Sequence, residues 1–121
     1  MRVYRLENDN GWGPMFGAQH YAVEKVLNNY VDFKLMSYPD SMRYVRVREA
    51  QFSFSDTKYA FSDVETLYAI FHDPALCVLH EHGFKITEYE VHDEAAVVFG
   101  HEQQVIFDPA RATLVCRHED L

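Results

Sequence analysis

Basic residues are scarce in this chain. Eleven Lys and Arg stand against 19 Asp and Glu in 121 residues, a formal net charge of −8. That balance excludes a protein that holds duplex DNA by overall charge. Cysteine is scarcer still. Cys77 and Cys116 both lie in apolar runs. They are expected as buried thiols of a reducing compartment, not as a disulfide framework. No apolar run approaches the roughly 20 residues of a membrane span. Met1 to Leu6 carries no signal-peptide core. Repeats, low-complexity tracts and linkers are absent as well. What is present suits one globular domain over 1–121: 48% hydrophobic residues, with nine Phe, eight Tyr and one Trp to fill a core.

The charge is uneven along the chain. Residues 1–60 carry eight Lys/Arg against seven Asp/Glu, and residues 61–121 carry three against twelve. In an extended segment, Arg46 and Arg48 point to one side. The arginines of the first half, Arg2, Arg5, Arg43, Arg46 and Arg48, have two readings. They pair with the surplus acids of the second half, or they hold a small anionic ligand.

Hydrophobic periodicity predicts mixed α and β. Arg2 to Glu7 reads as a strand with Val3 and Arg5 on one face and Tyr4 and Leu6 on the other. Asn8 to Pro14 is a loop dense in turn formers. Ala18 to Tyr30 has helical spacing in Val23, Val26, Leu27 and Tyr30. Tyr44 to Val47 and Ala50 to Phe54 read as short strands. Ser62 to Glu65 has the form of a capping box with Ser62 as cap. Asp73-Pro74 opens a second helix, with Gly83 placed to end it. From Phe84 the pattern turns β, with a phase shift between Ile86 and Tyr89 that a bulge explains. Runs at Ala95 to Phe99, Gln103 to Phe107 and Ala112 to Cys116 complete an antiparallel meander. The fold class is α+β: twisted, mainly antiparallel sheets with two to three short helices.

Familiar chemical motifs are missing. Seven histidines are present, but no H-E-x-x-H or C-x-x-C gives zinc spacing. His80 and His82 fall about 200° apart on a helix, and His80 suits a helix C-terminus. No G-x-S-x-G elbow exists, and Gly11-Trp12-Gly13 is not a phosphate loop. More suggestive are polar residues at the mouths of apolar strands. These are Tyr4-Arg5, the serines Ser53 and Ser55 alternating with Phe52 and Phe54, and Glu102 to Gln104 ahead of Val105-Ile106-Phe107.

Those three segments together resemble a minimal ADP-ribosyltransferase domain. Glu102 to Arg111 is similar to the glutamate-bearing strand of the poly(ADP-ribose) polymerase type. The layout also resembles small phage-encoded proteins, through Tyr4 to Asn8, Gly11 to Pro14, Phe61 to Glu65, Gly83-Phe84 and Gln104 to Phe107. The first resemblance implies NAD as cofactor. Arg5, beside Tyr4, matches the residue that orients the NAD ribose or phosphate. Ser53 or Ser55 matches the serine that shapes the nicotinamide pocket, and Tyr59 supplies a ring to stack on it. Glu102 matches the glutamate that holds the ribose 2′-hydroxyl and stabilises the developing cation. A second alignment puts Gln103 or Gln104 there, where an amide binds without stabilising a cation. The implied function is an accessory protein of the host cytoplasm that modifies a host protein.

A different class also fits. The acidic second half, with Glu65, Asp73, Glu81, Asp93 and Glu94, would imitate nucleic acid to a basic host defence complex, as an anti-CRISPR-like inhibitor.

Overall fold

The computed structural model describes residues 1–14, 56–99 and 104–119, together with Lys25, Leu27 and Asn29, which are helical. In chain order the elements are β1 (Arg2–Glu7), β2 (Lys58–Phe61), α1 (Val64–Ile70), α2 (Asp73–Glu81), β3 (Lys85–Val91), β4 (Ala96–Phe99), β5 (Gln104–Phe107) and β6 (Ala112–Arg117). Short 3₁₀ turns stand at Asp93–Ala95 and Pro109–Arg111. All pairings are antiparallel, in one sheet ordered β4-β5-β2-β1-β3-β6. The α+β class expected from periodicity is the one observed. The expected strands at 44–47 and 50–54 lie outside the described residues, as do Arg43, Arg46 and Arg48.

β1 lies near the middle of the sheet, and its alternation sorts the two cores. Leu6 joins Phe61 and Ile86 under α1 and α2, which contribute Leu67, Ile70, Ala75, Leu76 and Leu79. Val3 faces the other way, with Ala60, Val91, Ala95, Ala96, Val105 and Phe107. Each Val, Leu, Ile or Phe buried among them stabilises the fold by roughly 1.5–3 kcal/mol relative to exposure. α1 starts at Asp63, whose Oδ1 accepts from the Thr66 backbone N–H at 2.7 Å and from its hydroxyl at 2.8 Å. The cap is therefore one residue later than the Ser62–Glu65 pattern predicts. Asp63 offers a carboxylate, and Thr66 answers it with two donors. α2 opens at Asp73-Pro74 and is followed by Gly83 in the left-handed region, φ +89°, as expected.

The C-terminal strands do not form a simple meander. β4 and β5 pair as a hairpin at one edge, whereas β6 returns to β3 at the other. Only His92 and the turn Asp93–Ala95 connect β3 to β4. In a flat sheet these strands would lie four spacings apart, roughly 19 Å. A 3₁₀ turn rising about 2 Å per residue spans far less. The sheet must therefore curl until distant strands meet. The contacts show it: the Tyr89 and Phe107 rings, on β3 and β5, lie 5.8 Å apart. Register shifts between Glu88 and Tyr89 where β3 meets β6, which explains the phase shift in the sequence.

Both cysteines are exposed, which corrects the expectation of buried thiols. Ala75, Leu76 and Leu79 turn inward from α2 and leave Cys77 outside. Cys116 lies on edge strand β6, where Thr113, Leu114 and Val115 are also exposed.

Candidate functional site

β1 and β2 pair at one position, Tyr4 opposite Phe61. Beyond it the strands splay, and Arg5 enters the gap. Its Nη1 donates to the Tyr59 carbonyl at 2.9 Å, and its Nη2 donates to the Gly11 carbonyl at 3.1 Å. The guanidinium thus supplies donors to backbone oxygens where the two strands part.

Arg5 carries its counter-charge with it. Alternation along β1 puts Glu7 on the same face, and Arg5 Nε donates to Glu7 Oε2 at 2.7 Å. Both side chains are 8% exposed. The other carboxylate oxygen, Oε1, accepts from the Tyr89 hydroxyl. Burial, and then the Glu7 carboxylate, push that hydroxyl well above the ordinary tyrosine value. Lys58 Nζ stands 3.8 Å from Glu7 Oε2 and donates to Gly11 O at 3.1 Å. One carboxylate, two cations and a phenol therefore share the concave side of the sheet.

The loop after β1 is fastened by Asn8. Its Oδ1 accepts from the backbone N–H of Asn10 and of Trp12, each at 3.0 Å. Its own N–H donates to the Trp12 carbonyl at 2.9 Å. Gly11 has φ +79°, and a Cβ there would come within 3.0 Å of Lys58 Nζ. The positive φ favours glycine here, and a Cβ would press on the tip of the flexible Lys58 side chain. The loop holds Trp12, a residue 52% exposed.

A cavity of about 630 Å³ opens at this splay. Among the described residues its wall includes Arg5, Trp12, Lys58, Tyr59, Phe71 and Gln104. The volume is that of a small-molecule site, and the lining is aromatic with a few polar groups, as such sites are.

Three of the residues singled out from sequence come together here: Arg5, Tyr59 and Gln104. Gln104 opens β5 opposite Phe61 and is buried, so it is not a water-facing residue of the sheet's rim. Tyr4 does not reach the cavity wall. It packs against the core beneath the helices. Ser53, Ser55 and Glu102 lie outside the described residues. Sequence reasoning missed Lys58 and Trp12 as site residues. A Gly-x-Gly turn holding the single tryptophan was the available signal for Trp12. Lys58 gave none, because strand β2 has only four residues.

The geometry defines a class: a small α+β protein with a strongly curled sheet and a ligand-sized cleft at a strand splay. Among the described residues no helix is long and apolar enough to cross a membrane. The chain belongs to the family described as bacteriophage T4 Y00F protein, whose model matches residues 1–120. It is thus a member of a phage protein family, as the short motifs suggested. No curated protein and no solved structure gives a match.

Proposed function

We propose that this phage protein acts in the host cytoplasm as an accessory protein that binds NAD or a related nucleotide in the β1–β2 cleft. One observation carries the reading. Arg5, Tyr59 and Gln104, drawn from three separated stretches of chain, line one cavity with Trp12. Aromatic rings suit a nicotinamide or adenine base, and the Gln104 amide suits a ribose hydroxyl or a carboxamide. The likeness to ADP-ribosyltransferases rests on the short motifs alone. On that likeness Glu102 is the carboxylate for transfer to a host protein, with Ser53 or Ser55 beside the nicotinamide. Calorimetry with NAD tests binding directly, and Gln104→Ala should weaken it. No heat at millimolar NAD ends the reading. Labelled NAD with host lysate tests transfer, and a band undiminished in Glu102→Ala removes Glu102 from that role.

A second reading has its own observation. Glu65, Asp73 and Glu81 are exposed on α1 and α2, with no ion-pair partner among the described residues. An unneutralised acidic face suits a basic host complex, in the manner of an anti-CRISPR-like inhibitor. Its binding should weaken with salt, because exposed charges are screened within about 10 Å at 0.1 M. A partner held equally well at high salt counts against it.

A further inference from the structure

We infer that Lys58 is the anion receptor of the cleft, and that it acts with Trp12 to select an aromatic base carrying a phosphate, as in a nucleoside monophosphate. The inference deepens the nucleotide reading above and rests on it.

The two cations at the cleft are not equivalent. Arg5 is buried, its Nε faces Glu7, and both terminal nitrogens hold backbone carbonyls. Turning it toward a ligand would strand Glu7 inside the sheet and uncover the Tyr59 oxygen, a large penalty. Lys58 is different. Its side chain is 26% exposed and lies on the cleft wall. An ammonium has three N–H donors. Among the described residues Lys58 makes one hydrogen bond, to Gly11 O. Glu7 Oε2 at 3.8 Å is beyond hydrogen-bonding distance.

Moving Lys58 onto an anion costs the loop little. Gly11 O also accepts from Arg5 Nη2 at 3.1 Å, so the carbonyl stays satisfied when the ammonium leaves. The absent side chain at position 11 keeps that space open, since a methyl would stand 3.0 Å from Nζ. Asp56 also lies on the cleft wall, so Arg5 and Lys58 stand against two carboxylates, Glu7 and Asp56, and Lys58 meets a ligand as a single cation. One ammonium suits one phosphate group. The base has its platform one residue away: Trp12 follows Gly11, and its backbone is fixed at both ends to Asn8.

The experiment uses the single tryptophan as reporter, with calorimetry beside it, in a phosphate-free buffer. AMP and adenosine are titrated into the wild-type protein and into Lys58→Met, Lys58→Gln and Lys58→Arg, each checked for an intact unfolding transition. A charge-assisted hydrogen bond implies about tenfold or more in affinity. AMP should therefore bind the wild type about tenfold more tightly than adenosine. Lys58→Met and Lys58→Gln should abolish that preference and leave adenosine within about twofold of wild type. Lys58→Arg should keep most of it. Equal affinity for AMP and adenosine in the wild type overturns the assignment of Lys58 and leaves the nucleotide cleft standing. Loss of both ligands in the folded Lys58→Gln protein also overturns it. If adenosine, AMP and NAD all fail to bind the wild type, the nucleotide reading falls and this one with it.

Discussion

The Arg5 guanidinium donates to the Tyr59 carbonyl at 2.9 Å across the gap where β1 and β2 no longer pair. A side chain thus completes the backbone hydrogen bonding of a sheet at the place where the sheet opens. The cleft exists because β1 and β2 separate, and the separation is tolerable because Arg5 fills part of it.

Replacing Arg5 should therefore cost stability whatever the ligand. Arg5→Met leaves the Glu7 carboxylate buried without its nearest cation and strips a donor from Tyr59. Breaking such a buried pair costs about 3–5 kcal/mol. The double variant Arg5→Met/Glu7→Leu should lose less than the single one, because no orphaned charge remains. Urea unfolding of both proteins checks the order.

Tyr89 should make the protein sensitive to alkali. Burial, followed by the Glu7 carboxylate, holds its hydroxyl pKa above the unfolded value. The folded state therefore keeps the proton more tightly than the unfolded chain. The resulting stability is complete below the unfolded tyrosine value, near 10. It is lost as pH rises from there through the folded value. Tyr89→Phe should remove that loss while weakening the protein at neutral pH by about 1.5–3 kcal/mol, the worth of a hydrogen bond to a charged group. Urea midpoints of both proteins from pH 8 upward decide it.

On the acid side the sensitive group is Glu88. Its hydrogen bond to His118 at 2.7 Å, then that to Arg2 at 3.1 Å, lowers its pKa below the ordinary carboxylate value. Its contribution is present above the unfolded carboxylate pKa and fades as pH falls through the lower folded value. The stability gap between wild type and Glu88→Gln should close over that interval. A constant gap from pH 6 down to pH 2.5 would show that the pairing contributes nothing.

Two glycines separate backbone strain from ligand effects. Gly11 and Gly83 both have positive φ, and alanine at either should cost about 1–2 kcal/mol. A Cβ at Gly83 meets nothing within 4 Å, whereas one at Gly11 meets the Lys58 ammonium. Gly11→Ala should thus weaken AMP binding and Gly83→Ala should not. Matched thermal and binding measurements on the pair test this.

Local chemistry made much of the fold legible. The alternation of Val3 and Arg5 against Tyr4 and Leu6, the Asp73-Pro74 helix start, Gly83 and the Tyr89 phase shift are all decided by neighbours within a few residues. β2 was illegible because four residues show no period, and its partners β1 and β5 lie far off in sequence. The meander failed for the same kind of reason. Strand order depends on how tightly the sheet curls, which no local pattern states. At the site, Arg5 and Gln104 were read as polar residues at strand mouths, and Tyr59 as the stacking ring that the transferase resemblance implies. Lys58 was missed because its importance comes from Gly11 and Glu7 meeting it across the sheet splay.

The central place of β1 sets the timing of assembly. Arg2 reaches Glu90, a partner 88 residues further along. A ribosome adding about 5–20 residues per second needs several seconds to make that stretch. Until β3 emerges, the first strand has no completed sheet to enter, and its Arg5 and Glu7 remain in water. Gln104 on the cleft wall is made later still, so the cleft is among the last parts of a newly made molecule to take shape.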